Sequence, residues 1–276
     1  MEMVAASKMR RAQMQVLSMR PYADKARSVL GRLATQRGVD EEIHPLFTSR
    51  PVKRVGLVLI TSNKGLCGAY NHNVIRLADE YLENAQAPVD LITVGRVGRN
   101  AMLRAGHSVI ADFEELPDQP DLLDIAPVAR VVVEEFLTGV VDEVHLVYSQ
   151  FVNTMVQTPR VEAFLPLKEI DIAAEEPATG EAPVEYAYEP SVQEILNALV
   201  PRFTEVLIYK AILEARASEH SARMVAMRAA TENANELIED LTLTYNKARQ
   251  NAITREMLDI AGGVEALRAG RSALSA

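Results

Sequence analysis

Apolar positions recur at alternating intervals of four and three near the start of the chain: Ala5, Met9, Ala12, Val16, Met19, Ala23, Ala26, Leu30 and Leu33. That spacing is the seam of a helix packed lengthwise on another helix. Pro21 lies inside the seam and predicts a local kink. Toward the other end the stripe Met227, Ala230, Ala234, Leu237, Leu241, Thr244 and Ala248 repeats the rhythm. Residues 202–261 contain neither Gly nor Pro, which predicts one long helix of about 90 Å at 1.5 Å per residue. Gly262-Gly263 reads as its stop, and Pro201 as a limit or kink at its start. Ser191, three residues before Glu194, reads as the capping box of a short preceding turn. So long a helix needs a packed face, because propensity alone stabilises it too little. Both seams are rich in Ala and Met, which allow close approach and fill irregular gaps. The two terminal segments are therefore expected to wind around each other as an antiparallel coiled coil.

Between them the period changes. Apolar runs of strand length at 52–60, 89–94, 108–113, 140–151 and 160–165 alternate with helical patterns beginning at Val74, at 97–105 and at 122–137. Such alternation predicts a Rossmann-like α/β head with a largely parallel sheet, inserted between the two terminal helices. Residues 171–190 hold six acidic residues and three prolines (Pro177, Pro183 and Pro190) and read as a solvated linker. The organisation is thus a shaft helix and connection over 1–50, a head over 51–170, a linker over 171–190 and a second shaft helix over 191–276.

Charge and cysteine content narrow the function classes. Residues 1–50 carry 9 Lys/Arg and 5 Asp/Glu, residues 51–201 carry 10 and 23, and residues 202–276 carry 10 and 10. The acidic centre would repel phosphates, which argues against a nucleic-acid-binding head. A single cysteine, Cys67, forms no internal disulfide and no multi-cysteine zinc site. The N-terminus lacks the pattern of a secretory signal, and no aliphatic run approaches the length of a bilayer span.

The most enzyme-like stretch is Thr61-Ser62-Asn63-Lys64-Gly65-Leu66-Cys67-Gly68, between a strand and a helix. A phosphate could sit on such a helix start. Yet Lys64 precedes Gly65, where a Walker loop has Lys after its last Gly, and the three glycines of a dinucleotide loop are not all present. Gly95 and Gly98 form a second weak pair. Both read as tight turns. Cys67 reads as a small buried residue and not as a nucleophile, since His72 nearby in sequence gives no assurance of contact. The histidines His44, His72, His107, His145 and His220 are scattered, with no metal-helix spacing. Glu114-Glu115 and Glu134-Glu135 read as solubilising. No cofactor or metal is expected. Two readings stand on these features: a coiled-coil interaction protein with an α/β head, and a nucleotide-binding α/β enzyme using Lys64 and the turn glycines.

Three blocks carry a specific resemblance. Residues 1–13, MEMVAASKMRRAQ, resemble the N-terminal helix of the gamma subunit of bacterial F-type ATP synthase. Residues 61–74, TSNKGLCGAYNHNV, resemble that family's first strand-to-helix turn. Residues 217–267, beginning ASEHSARMVAMRAATENANELIEDLTLTYNKARQ, resemble its C-terminal signature. The resemblance implies a central rotor shaft that couples proton flow through the membrane ring to ATP synthesis. It implies alpha, beta and epsilon subunits and the c-subunit ring as partners, and no catalysis by the chain itself, since ATP chemistry belongs to the beta subunits. It implies a peripheral place on the cytoplasmic face of the bacterial cell membrane. It also implies that Arg249, Gln250, Thr254 and Glu256 touch a loop of the beta subunit. Three departures stand out. Asn63 replaces a more usual acid, Ala69 replaces a common Gly, and the paired regulatory cysteines of chloroplast members are missing. The family's helix also usually begins several turns before the position of Met1, so residue 1 is expected inside a helix.

Overall fold

The computed structural model describes residues 1–35, 44–117, 119–167 and 191–274, so the acidic stretch 171–190 lies outside the described residues. The element order is α1 (Glu2–Thr35), a short 3-10 turn (Pro45–Phe47), β1 (Val55–Ile60), α2 (Tyr70–Asn84), β2 (Val89–Val94) and α3 (Arg96–Arg104). It continues with β3 (Val109–Phe113), α4 (Leu122–Leu137), β4 (Glu143–Phe151), β5 (Gln157–Leu165) and α5 (Val192–Leu274). The chain divides into two compact units, Met1–Ala226 and Met227–Ala276.

In the first unit the strands form one sheet in the order β3-β2-β1-β4-β5. The pairs β1·β2, β1·β4 and β2·β3 are parallel, and β5 returns antiparallel to β4. Successive side chains of a strand face opposite ways, and β1 shows how this divides the core. Leu57 and Leu59 join Val74, Ala78 and Met102 of α2 and α3 on one face. Val58 and Ile60 join Val128, Val132 and Phe136 of α4 and the early part of α5 on the other. The predicted strands exist with shifted ends: β1 starts at Val55, β4 at Glu143, and β5 begins earlier, at Gln157. The start of β1 is fixed by the Asp142 carboxylate, which accepts from the Lys53 and Arg54 amides at 2.8 and 3.2 Å.

α5 corrects three expectations. Its first turn is capped by Ser191, whose hydroxyl oxygen accepts from the Glu194 amide at 3.2 Å, so this cap opens the long helix itself. Pro201 lies inside it and does not bound it. A proline within a helix costs about 3 kcal/mol. Leu196, Val200 and Phe203 around it are all buried, and each such side chain contributes about 1.5–3 kcal/mol. Burial outweighs the lost backbone bond. At the far end the helix runs through Gly262 and Gly263 to Leu274. Each glycine costs only about 1 kcal/mol relative to Ala, and no chain break is needed to relieve a clash there.

The α1 seam is buried as its spacing predicts, at Ala5, Ala12, Val16, Ala23 and Leu30. Within the first unit, Ala12 and Val16 pack with Leu213 and Ala217. In the second unit the stripe beyond Met227 is exposed, with Leu237 and Leu241 each 60% accessible.

Candidate functional site: a filled crevice and an exposed helix

Ligands of open α/β sheets sit beyond the carboxyl ends of the strands, where the strand order reverses. Here β1 lies between β2 and β4, so that point is the end of β1, which runs straight into the Thr61–Gly68 loop. α5 fills the crevice. Thr61, Asn63, Tyr70, Gly95, Ile212, Arg216 and Glu219 close around a residual cavity of about 10 Å³, room for one water molecule. The Tyr70 hydroxyl is buried there without a hydrogen-bond partner. Burial first, and then the neighbouring Glu219 charge, push its pKa well above the phenol value.

The donors a phosphate would need are already engaged at α3. The Arg96 amide donates to Asn63 Oδ1 at 2.9 Å, the Val97 amide to the Ser62 carbonyl at 3.1 Å, and the Gly98 amide to Thr61 Oγ1 at 2.9 Å. Helix N-termini bind anions through such amides, and here the β1 loop occupies them. The glycine pair is explained by the same contact. A Cβ on Gly95, at φ 106°, would lie 2.3 Å from the Thr61 carbonyl oxygen, and one on Gly98 would lie 2.7 Å from Thr61 Oγ1. These glycines serve close packing.

The other sequence features fall into place. Cys67 is buried, with its Sγ 3.1 Å from Asn71 Nδ2, while His72 is exposed. The departure at Asn63 has a local reason: besides accepting from Arg96, its Nδ2 donates to the Glu114 carbonyl at 2.5 Å, which a carboxylate could not do. Ala69 caps α2 at φ −83°, where glycine is not required. Glu114 is more than solubilising, since its carboxylate pairs with Arg99.

Sequence reasoning missed the grip of α5 on the loops around it. Arg223 donates to the Lys64 and Gly65 carbonyls at 3.1 and 3.3 Å. Arg216 donates to the Leu116 carbonyl at 3.1 Å. Ser218 and Ser221 donate to the Ser149 and Thr154 carbonyls at 3.0 and 2.7 Å. Glu219, buried between the two arginines, lies 2.8 Å from Arg223 and 3.9 Å from Arg216. The signal was present in the crowding of charged and hydroxyl residues in RASEHSAR directly after AILEA, whose residues other than Glu214 are apolar. Polar groups so placed must find partners.

Arg249, Gln250, Thr254 and Glu256 all lie on the exposed helix of the second unit. Arg249 and Glu256 are seven positions apart and share a face, as do Gln250 and Thr254, four apart.

Residues 1–267 match the family model described as ATP synthase. An ATP synthase gamma chain of Roseiflexus castenholzii is 49% identical over 271 residues, spanning 97% of this chain and 91% of that one. One from Dehalococcoides mccartyi strain CBDB1 is 45% identical over 267 residues, spanning 97% and 92%. The chain belongs to the ATP synthase gamma chain family. The fold of this gamma-family chain agrees with that of solved structures. A chain of the Tetrahymena thermophila mitochondrial ATP synthase central stalk and c-ring superposes with a TM-score of 0.62 at 24% identity, covering 83% of this chain and 97% of that one. A chain of the Euglena gracilis mitochondrial OSCP/F1/c-ring assembly gives 0.59 at 22% identity, covering 96% of each. None of the described helices is long and apolar enough to cross a membrane.

Proposed function

We propose that this chain is the central rotor shaft of an F-type ATP synthase, coupling proton flow through a membrane ring to ATP synthesis on other subunits. The observation that carries the proposal is 45–49% identity to bacterial ATP synthase gamma chains over 97% of the chain. The proposed partners are the alpha and beta subunits around the shaft, and the epsilon subunit and c-subunit ring at the head. The proposed place is the cytoplasmic face of a bacterial cell membrane, held there peripherally. The parts are a shaft helix and connection over 1–50, a head over 51–170, a linker over 171–190 and a second shaft helix over 191–276.

The terminal helices pair antiparallel in this proposal. Lys8 lies close enough to depress protonation of His220, while Arg20, farther along α1, reaches Glu214, earlier on α5. The opposed numbering supports that direction. Arg249, Gln250, Thr254 and Glu256 are proposed to touch a beta-subunit loop. Arg249 can offer a forked pair of donors to a carboxylate, with neutral bonds from Gln250 and Thr254. A crevice filled by α5 gives the enzyme alternative no supporting observation. The test is replacement of the gamma chain in a bacterial ATP synthase by this one. The proposal expects assembly with alpha and beta subunits and ATP-driven proton pumping in vesicles. An assembled complex that hydrolyses ATP without pumping would count against it.

A further inference from the structure

The bonds from α5 to the surrounding loops leave it in opposite directions. At about 100° per residue, Arg216 and Arg223 share one face of the helix, and Ser218 and Ser221 lie about 180° around it. The arginine side holds carbonyls that follow β1 and β3, at Lys64, Gly65 and Leu116. The serine side holds the β4 end and the hairpin after it, at Ser149 and Thr154. All four side chains reach main-chain oxygens, one in β4 and the others in loops directly after β1, β3 and β4, and these cannot swing away as side chains do. Ser218 and Ser221 are fully buried, and Glu219 is 4% exposed. Glu219 holds both guanidinium groups from between them.

Resting on the rotor-shaft reading, we infer that Arg216, Arg223, Ser218 and Ser221 form the torque-bearing joint between the long helix and the head. Apolar packing is not directional, so it fixes the angle of a helix about its own axis less sharply than aimed bonds do. Directed bonds on diametrically opposite faces oppose that rotation in both senses. Twisting α5 one way stretches the arginine bonds on one side and the serine bonds on the other, and reversal does the same. A shaft that works in both synthesis and hydrolysis needs a joint of this two-sided kind. Arg223 is a positioning residue here: it touches no nucleotide and acts by fixing the head to the helix.

The test uses the complete complex in vesicles with Arg223→Ala, Arg223→Lys and the double variant Ser218→Ala/Ser221→Ala. Three quantities are read: hydrolysis with an uncoupler present, which counts working catalytic sites; the proton gradient at which ATP-driven pumping stalls; and amide exchange of residues 61–70. The joint predicts that Arg223→Ala accelerates that exchange about tenfold and stalls at a smaller gradient per working site. Arg223→Lys, which keeps the charge and loses the fork, falls between it and the parent. An equal stall gradient for Arg223→Ala despite faster loop exchange overturns the inference. Should Arg223→Ala fail to assemble, Ser221→Ala alone, which removes one hydroxyl, decides: a lowered stall gradient supports the joint, an unchanged one overturns it. Failure of the rotor reading looks different, because the unsubstituted chain would then support no pumping at all.

Discussion

Gly98 and Thr61 are in direct contact across the end of the sheet: the Gly98 amide donates to Thr61 Oγ1 at 2.9 Å, and the space for a Cβ at Gly98 is already taken by that hydroxyl and its methyl. The first turn of α3 therefore sits on the end of β1 with no room for a side chain at Gly98. Gly98→Ala is expected to cost about 1–3 kcal/mol through overpacking. Adding Thr61→Ala should restore part of that loss, although it removes a bond. Urea unfolding of the four chains checks this. A neutral Gly98→Ala would mean that the glycine serves something other than close approach.

Gly262 and Gly263 test the opposite case. Nothing lies within 4 Å of the position a Cβ would take at either. Replacing both with Ala should raise local helix stability by about 1 kcal/mol per site. Slower amide exchange around residue 262, with no change in the head, is the expected result.

The alternation of strands and helices was readable, because β1 is a run with no polar side chain, β2 is rich in Val, Leu and Ile, and α4 has a clear helical stripe. The α1 seam was readable down to Ala5, Ala12 and Val16. Pro201 did not bound α5, since its cost of about 3 kcal/mol is what one or two buried side chains return, and Gly262-Gly263 did not because each costs a helix only about 1 kcal/mol. The contact of α1 with Leu213 and Ala217 of α5 was not legible, because an apolar 3-4 rhythm shows what could be buried and not what is. Leu213 and Leu237 look alike in sequence and differ only in what lies beside them. The polar grip of Arg216 to Arg223 depends on carbonyls of loops far away in sequence, which no local pattern reveals. The C-terminal block carried it only through resemblance.

Glu214 is buried on α5, with Oε2 lacking a hydrogen-bond partner and Oε1 3.5 Å from Arg20. Burial raises its pKa above 4.5, opposed chiefly by the Arg20 charge, with Lys210 and Arg160 helping and Glu162 hindering. A raised carboxyl pKa means the native state holds the proton more tightly. Its contribution is therefore fully present below about pH 4.5 and is lost as pH rises through the higher native value. Arg20→Ala should widen this loss and cost about 1–3 kcal/mol at neutral pH, and less in acid. Arg20→Ala/Glu214→Gln should recover most of it. Urea midpoints at acid and neutral pH measure the difference. Equal costs at both pH values would contradict the assignment.

His220 works the other way. Burial lowers its pKa below 6.5, with Glu219 opposing and Arg223, Arg216 and Lys8 adding to the lowering. Its Nδ1 lies 3.3 Å from Arg223 Nη1, so the neutral ring accepts there. A depressed native pKa means stability is lost as pH falls below about 6.5 toward the native value. His220→Gln should flatten that part of the profile, read as the urea midpoint between pH 7.5 and 5.5 against the parent chain.

Arg249 and Glu239 separate the proposed beta-subunit contact from general helix polarity. Arg249→Ala in the assembled complex should lower ATP-driven pumping per intact complex by about tenfold, the effect of one lost charge-assisted hydrogen bond of about 1.4 kcal/mol. Glu239→Ala, ten positions earlier on the same exposed helix, should do less. Normal pumping with Arg249→Ala beside impaired pumping with Glu239→Ala would place the contact elsewhere.

The most direct measurement is rotation itself. This chain would be assembled with the alpha and beta subunits of a bacterial ATP synthase, the ring of those subunits fixed to a surface, and a bead attached to the α/β head. The account predicts stepwise rotation of the bead in one direction while ATP is hydrolysed, stopping when ATP is removed. A complex that assembles and hydrolyses ATP with the bead stationary or moving at random would contradict it.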